Sequence, residues 1–292
     1  MKTKQIESII EPPRIRYVGD GFRVHNFIPY VPQLSMERMN PFILLDYNAN
    51  FYFDATDTPR GVGVHPHRGF ETVTIAYKGR IQHHDSSGGG GIIGEGEVQW
   101  MTAAGGVLHK EYHEVEWSKK GGNFHMVQLW VNLPAKDKTL PAKYQAITKD
   151  MIAKYNLENN GGEIEIIAGE YKGVHGSAST FSPMHVMNAH LKTGGEADFS
   201  FPADYNTAIL VIEGSIIVNG EDEVPTDYFV LFENKGEDFN IEASEDAIVL
   251  ILSGQPLHEP ISAYGPFVMN TKEEIKQAYD DFNQGKFGYL ED

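Results

Sequence analysis

Short apolar runs separated by turn-forming residues dominate the chain. Three of these runs are ETVTIAYKG at 71–79, AILVIEGSIIVNG at 208–220 and DAIVLILSG at 246–254, and clusters of Gly, Pro, Asn and Asp separate such runs. The runs are rich in β-branched and aromatic residues, which favour strands, and many short strands with regular turns are typical of sandwiches and barrels. The pattern therefore predicts an all-β protein.

The two halves of the chain resemble each other. ETVTIAYKGRIQHHD in the first half and NTAILVIEGSIIVNG in the second share one order, a strand, a turn glycine (Gly79 or Gly214) and a second strand. This repetition predicts two tandem, jelly-roll-like β-barrels, one over residues 1–142 and one over residues 143–292. The joint between them is polar and carries two prolines, and we expect a short helix within it at 148–155.

One helix is predicted near the C-terminus, in NTKEEIKQAYDDFNQGK. Thr271 and Glu274 have the spacing of a capping box, and Gly285 is placed to end the helix. The apolar positions that fall on one helical face are Ile275, Ala278, Tyr279 and Phe282. We expect this face to pack against a barrel.

Composition narrows the class of protein. The chain has 292 residues, 41 acidic and 24 basic, with a formal net charge of -17. Such a charge disfavours direct binding to nucleic acid or to anionic membranes. The sequence contains no cysteine, which excludes disulfides, thiolate zinc sites and cysteine nucleophiles. No secretory or membrane-spanning apolar segment is recognisable. We expect a cytoplasmic protein, with a nuclear fraction as the alternative if the source is eukaryotic.

Two short motifs carry the candidate chemistry. His65 and His67 form an H-x-H pair, and His109 and Glu111 form an H-x-E pair some forty residues later. In a strand, residues two apart share one face. Three imidazoles and one carboxylate suit a divalent first-row transition metal, and sets of this kind are typical of non-haem Fe(II) oxygenases. Glu71 has the same parity as the H-x-H pair and competes with Glu111 as the carboxylate ligand.

Other polar and aromatic positions have weaker signals. The histidines and aspartate at 83–85 are expected to be solvated, with a role beside the metal ligands or in a pocket wall as the alternative. The glycines at 88–91 lack the Lys-Ser/Thr of a phosphate loop and predict a hairpin connection. We expect His113 and His125 to be packed or on the surface. The candidate pocket residues, for which core packing is the commoner role, are Phe70, Trp100 and Met101.

Long stretches around both motifs closely resemble the pirin family of bicupins. They are HPHRGFETVTIAYKGRIQHHD and VQWMTAAGGVLHKEYHE, and the C-terminal GPFVMNTKEEIKQAYDDFNQGKFG and the central IAGEYKGVHG also look like pirin segments. The resemblance implies two cupin barrels with one metal in the first, held by His65, His67, His109 and Glu111. Glu111 is thereby preferred to Glu71. The second barrel has FPADYNTAI at the position of the histidine motif, so we predict that it carries no metal.

The resemblance also implies a function. Pirin-like proteins are associated with quercetin 2,3-dioxygenase activity, which predicts an oxidoreductase that cleaves flavonols or a similar planar, enolic substrate with dioxygen. Fe(II) is the favoured metal, with Mn, Ni, Co, Cu and Zn as the other candidates. Glu111 is the expected general base. The alternative is a regulatory protein that depends on its metal or redox state and acts through protein–protein contacts.

Overall fold

The computed structural model describes residues 2–291 and contains mostly antiparallel strands. In chain order, the strands are β1 (Ile6–Ile10), β2 (Arg16–Val18), β3 (Phe22–Ile28), β4 (Phe42–Phe53), β5 (Gly61–His67), β6 (Phe70–Lys78), β7 (Ile81–Asp85), β8 (Gly90–Ile93), β9 (Val98–Thr102), β10 (Val107–His113), β11 (Gly122–Asn132), β12 (Lys143–Ile147), β13 (Ala153–Asn156), β14 (Gly162–Ala168), β15 (Glu170–Tyr171), β16 (Val174–His175), β17 (Met184–Leu191), β18 (Glu196–Ser200), β19 (Asn206–Glu213), β20 (Ser215–Val218), β21 (Asp222–Pro225), β22 (Phe229–Phe232), β23 (Asp238–Ala243), β24 (Ala247–Gly254), β25 (Ser262–Tyr264) and β26 (Phe267–Met269). The α-helices are α1 (Met36–Met39), α2 (Val115–Ser118) and α3 (Lys272–Asn283), and 3-10 turns lie at Pro32–Leu34, Ala135–Asp137, Lys149–Met151 and Glu158–Asn160. The all-β prediction is confirmed.

The chain divides into two compact units. The first unit contains residues 13–149 and 257–291, and the second contains residues 2–12 and 150–256. Within residues 2–291, no helix has the length and apolar character needed to cross a membrane.

The first unit is built from two sheets. The larger has the order β12-β9-β6-β11-β4-β3-β2, and the smaller has the order β5-β10-β7-β8. Phe22 and Phe124 from the larger sheet pack in one buried cluster with Ile81 and Ile93 from the smaller. The two sheets therefore enclose a common interior, and β6, which lies inside the larger sheet, is buried along nearly its whole length.

The second unit repeats this plan. Its larger sheet has the order β1-β22-β19-β24-β17-β14-β13, and its smaller sheet has the order β18-β23-β20-β21. Phe199 and Phe239 from the smaller sheet pack with Ile209, Val249 and Ile251 from the larger in one buried cluster. The internal repetition in the sequence thus corresponds to two domains of the same two-sheet architecture.

The predicted C-terminal helix is present as α3. Thr271 accepts a hydrogen bond from the backbone N–H of Glu274, whose side chain in turn reaches the Thr271 backbone, so the capping box is formed. Ile275 and Ala278 are buried and pack with Phe287, while Phe282 lies at the exposed edge of the helix. A glycine at 285 with φ of +74° follows the last turn, as predicted.

The sequence predicted one domain boundary at 142/143, but each end of the chain belongs to the unit that contains the other half. Residues 257–291, including α3, belong to the first unit, and residues 2–12 belong to the second. The apolar face of α3 packs with Phe267, Phe287 and Leu108, all in the first unit, which is the physical reason. Each unit therefore consists of two segments that are not consecutive in the sequence.

The short helix predicted at 148–155 is wrong. The structure has a 3-10 turn at Lys149–Met151 and then strand β13. Ala153 and Tyr155 pair with Ile166 and Ile164 of β14. Pairing with the edge of an existing sheet decides the conformation of this segment, because it satisfies the backbone groups that a short isolated helix would leave open.

Candidate metal site

His65 and His67 lie at the end of β5, and His109 lies in the adjacent strand β10. The antiparallel register places His109 opposite His65 and Val107 opposite His67. Residues two apart in a strand share a face, and directly opposed residues also share one. The fold therefore brings the three histidines of the two sequence motifs to one face of the smaller sheet.

The three imidazoles form a compact cluster. One ring nitrogen from each lies within 4.8 Å of those from the other two. Nε2 of His65 lies 3.0 Å from Nε2 of His67, and Nδ1 of His65 lies 2.8 Å from the carbonyl oxygen of Gly63. The backbone carbonyl thus orients the His65 ring so that its Nε2 faces the cluster, an arrangement common in metal-binding histidines.

The electrostatics of the cluster favour neutral imidazoles. Burial lowers the pKa of His65, and burial together with the neighbouring histidines lowers the pKa values of His67 and His109 well below the ordinary value. Among residues 2–291, neither ring nitrogen of His109 has a hydrogen-bond partner, although the residue is fully buried. Neutral imidazoles with unpaired, buried nitrogens are the state that binds a cation, so these residues fit a transition metal.

Glu111 lies two residues after His109 in β10 and is 7% exposed. The pairing of β10 with β5 is irregular between these two residues. Among residues 2–291, the group of ligand atoms within 4.8 Å of one another contains the three histidines and does not include Glu111. Burial, followed by the charge of Asp46, raises the pKa of Glu111 to about 7, and no residue in the described part of the chain hydrogen-bonds to its Oε2.

Glu71 does not face the histidines as the sequence parity suggested. The chain bends at Gly69, where φ is +92°, and β6 then belongs to the larger sheet. Glu71 and Thr74 are three residues apart in β6, and side chains an odd number of residues apart in a strand lie on opposite faces of the sheet. Glu71 accepts a hydrogen bond of 2.7 Å from Thr102 Oγ1, and burial raises its pKa to about 7. Arg68, which lies between His67 and Glu71 in the chain, forms an ion pair with Asp281.

A row of buried polar side chains crosses the larger sheet on its interior face. Register places Gln99 opposite Thr74, Thr74 opposite Gln128, and Gln128 opposite Asp46. Thr74 Oγ1 lies 2.7 Å from Gln128 Oε1 and 3.3 Å from Gln99 Oε1, and Asn26 donates to Asp46. The sequence analysis missed this row, although single polar residues inside the apolar runs of β4, β6 and β11 are a detectable signal.

The row meets Glu111 at a small cavity of about 20 Å³. Asp46, Gln128 and Glu111 line it together with Phe22 and Met126. This volume is enough for about one water molecule. Burial raises the pKa of Asp46 to about 6, so two carboxyl groups with raised pKa values share this part of the interior.

Aromatic rings support one side of the cluster. Phe70 stacks on Trp130 with ring centroids 4.1 Å apart, and the His67 ring lies edge-on to both, at 5.2 Å and 5.3 Å. Trp130 was not identified from the sequence. Trp100 and Met101 are fully buried, which agrees with the core role given as the commoner one for them.

The histidines and aspartate at 83–85 are more buried than expected. His83 and Asp85 lie in β7 opposite Glu111 and His109, and both are buried. His83 Nε2 lies 2.6 Å from the hydroxyl of Tyr144, and its ring centroid is 6.0 Å from that of His109. The prediction that this cluster is solvated is wrong for these two residues, and the alternative of a wall beside the histidines describes them.

Two further expectations agree with the structure. His113 and His125 are packed in the interior, where their Nε2 atoms lie 2.7 Å from the Gly21 carbonyl oxygen and 2.9 Å from the Tyr47 hydroxyl. Gly88 and Gly89 lie in the hairpin turn between β7 and β8, and Gly90 and Gly91 begin β8. Asp85 Oδ1 accepts hydrogen bonds from the backbone N–H groups of Ser87 and Gly89 in that turn.

Comparison with known proteins identifies the family. The profile described as Pirin matches residues 21–131, and the profile described as Pirin C-terminal cupin domain matches residues 186–288. A Pseudomonas aeruginosa protein with the provisional name quercetin 2,3-dioxygenase is 44% identical over 97% of this chain and 98% of its own length. A pirin-like protein of Solanum lycopersicum is 36% identical over 94% of this chain and 90% of its own.

A solved structure gives the same result. The crystal structure titled quercetin 2,3-dioxygenase from Acinetobacter baumannii is 46% identical to this chain, covers 99% of both chains and superposes with a TM-score of 0.93. The two-sheet architecture of each unit is accordingly the cupin fold that the sequence predicted, with one C-terminal helix. By profile, sequence and structure, this chain belongs to the pirin family.

Proposed function

We propose that this protein is a metal-dependent dioxygenase of the pirin type, which cleaves flavonols such as quercetin or a similar enolic substrate. The observation that carries the proposal is the convergence of three neutral imidazoles from β5 and β10. Those of His67 and His109 are buried, and neither ring nitrogen of His109 has a hydrogen-bond partner among residues 2–291. Similarity to proteins named quercetin 2,3-dioxygenase supports the choice of reaction.

The proposed ligands are His65, His67, His109 and Glu111. Three imidazoles and one carboxylate match the preferences of a divalent first-row metal, with Fe(II) as the first choice and Mn, Ni, Co, Cu and Zn as the others. When bound, such a metal would accept an enolic oxygen as a ligand and lower the pKa of the corresponding hydroxyl. Phe70 and Trp130, packed around His67, keep that part of the site apolar.

Glu111 is the proposed general base. In the metal-free chain, burial and the charge of Asp46 raise the pKa of Glu111 to about 7, so the carboxylate can act as a base near neutral pH when it is not bound to the metal. A base with a pKa near the working pH transfers protons most effectively. In the proposed reaction, Glu111 accepts the proton of the substrate hydroxyl, and the electron-rich enolate that results is oxidised by dioxygen.

The proposal is tested with Glu111→Gln and the matched control Glu71→Gln. Both glutamates are buried and both have raised pKa values, but only Glu111 lies in the strand that carries His109. We expect one metal per chain by elemental analysis in the wild type and in both variants. In air, quercetin absorbance should decay with a kcat lowered about 100-fold or more for Glu111→Gln, and near the wild-type value for Glu71→Gln.

Two results would count against the proposal. Wild-type protein that contains no metal, or that consumes no quercetin when loaded with Fe, Mn, Ni, Co or Cu, would contradict the activity. Loss of turnover in Glu71→Gln with full activity in Glu111→Gln would show that the base and ligand have been assigned to the wrong glutamate.

A further inference from the structure

Asp281 of α3 accepts hydrogen bonds from three side chains. Arg68 Nη1 donates to its Oδ2 at 2.7 Å, while Lys286 Nζ and Gln277 Nε2 donate to its Oδ1 at 2.7 Å and 2.8 Å. The side chains of Arg68 and Asp281 are 12% and 13% exposed. The Lys286 ammonium and the Arg68 guanidinium hold the pKa of Asp281 below its usual range, so the carboxylate stays charged at neutral pH.

We propose that Asp281 is a positioning residue for the metal site, through which the C-terminal helix fixes the two strands that carry His67 and His109. This inference rests on the proposed function, because it assigns Asp281 to the same site. Two separate paths of contact connect the helix to the histidines, one through Arg68 and one through Phe287.

The first path leads to His67. Arg68 follows it directly, and the Arg68 backbone N–H and carbonyl bond to Pro266 and Val268 at 3.4 Å and 3.0 Å. Gly69 has φ of +92°, and a Cβ atom there would lie 1.9 Å from the Val268 carbonyl oxygen. The backbone after His67 is thus held against the segment that precedes α3 and cannot shift without breaking these contacts.

The second path leads to His109. Phe287 follows Lys286 in the chain. Its ring lies 2.2 Å from the position that a Cβ atom on Gly106, directly before β10, would take. The Phe287 carbonyl oxygen accepts a hydrogen bond of 2.5 Å from Ser86 Oγ, which in turn accepts one of 2.9 Å from the backbone N–H of Leu108. Leu108 precedes His109, so the position of Phe287 restrains the strand that carries this histidine.

The test compares Asp281→Asn with Asp280→Asn, an exposed neighbour on the same helix. Metal-free protein is titrated with Co²⁺ against a competing chelator, and the visible absorption of the bound ion is recorded. We expect the Co²⁺ affinity of Asp281→Asn to fall about tenfold or more, with a changed absorption band, and that of Asp280→Asn to stay at the wild-type value. The Co²⁺ affinity of Arg68→Met should fall by a similar factor. The double variant with Asp281→Asn and Arg68→Met should have a Co²⁺ affinity no lower than that of either single variant.

The readouts separate positioning from a purely structural role. A structural role alone would lower the thermal midpoint of Asp281→Asn but leave its Co²⁺ affinity and absorption band unchanged at a temperature where it is folded, and this result would overturn the inference. If Asp281→Asn does not fold, Phe287→Leu provides the same comparison through the second path. Wild-type protein that takes up no Co²⁺ would overturn the proposed function as well. If the wild type binds Co²⁺ and the variants bind it with the same affinity and absorption band, only this inference is overturned.

Discussion

Nε2 of His65 and Nε2 of His67 face each other at 3.0 Å. Because Nδ1 of His65 points to the Gly63 carbonyl oxygen, the proton of the neutral His65 ring is assigned to Nδ1, and its Nε2 carries a lone pair. Two ring nitrogens at this distance need either a shared proton or a shared cation. Because one ring nitrogen of His109 also lies within 4.8 Å of both, a single bound cation would be the common partner of all three rings.

Removal of His67 should abolish metal binding. His67→Gln is expected to contain little or no metal by elemental analysis after loading and desalting, because two imidazoles and one carboxylate bind far less tightly than the full set. His175→Gln is the control, since the His175 side chain is 75% exposed. Equal metal content in the two variants would contradict the assignment of the site.

Glu71 should make the stability of the metal-free protein depend on pH. Its pKa is raised from 4.5 to about 7 in the folded chain, with burial as the main cause, so the folded state binds more protons than the unfolded state between these values. The wild type therefore loses stability as pH rises through this window. Relative to Glu71→Gln, its free energy of unfolding should fall by about 2 kcal/mol between pH 5 and pH 8.

Chemical denaturation at several pH values measures this difference. The exposed Glu273 provides the control variant, Glu273→Gln, whose difference from the wild type should stay nearly constant with pH. A pH-independent difference for Glu71→Gln would show that the Glu71 carboxyl is solvated.

Interrupting the row of buried polar side chains in the first unit, at Thr74, should lower the free energy of unfolding. Thr74→Val keeps the shape of the side chain but removes the hydroxyl that lies 2.7 Å from Gln128 Oε1 and 3.3 Å from Gln99 Oε1, and so leaves the Gln128 amide oxygen without this donor. We expect a loss of about 1–3 kcal/mol in the free energy of unfolding. Thr58→Val, at an exposed position, should change it by less than about 0.5 kcal/mol. Equal effects in urea denaturation would mean that the row contributes no net stability.

Lys138 should be essential for the turn that follows the H-x-H motif. It is 1% exposed, and its ammonium donates to Gly69 O at 2.6 Å, Asn132 Oδ1 at 2.6 Å and Val268 O at 2.9 Å. Lys138→Met leaves these three acceptors without this donor and should cost about 2–4 kcal/mol of unfolding free energy. Lys136→Met, two residues away and exposed, is the matched control and should be nearly neutral.

Local patterns in the sequence were sufficient for several features. The alternation and residue types of the apolar runs predicted strands, and the Thr271–Glu274 spacing predicted the start of α3, because both depend on backbone geometry within a few residues. The two-residue spacing of His65 and His67 likewise placed both on one face of a strand. These properties are determined by the chain over short distances.

Tertiary structure decided the features that depend on which strands become neighbours. The bend at Gly69 moves Glu71 into a different sheet from His67, so parity along the sequence no longer applies. Sheet pairing brings Asp46 and Gln128 together although they are far apart in the chain. The chain by itself determined the strands, the helix and the two histidine motifs. Only the packing of sheets and helix decided the surroundings of those motifs, because burial and register arise from contacts between distant segments.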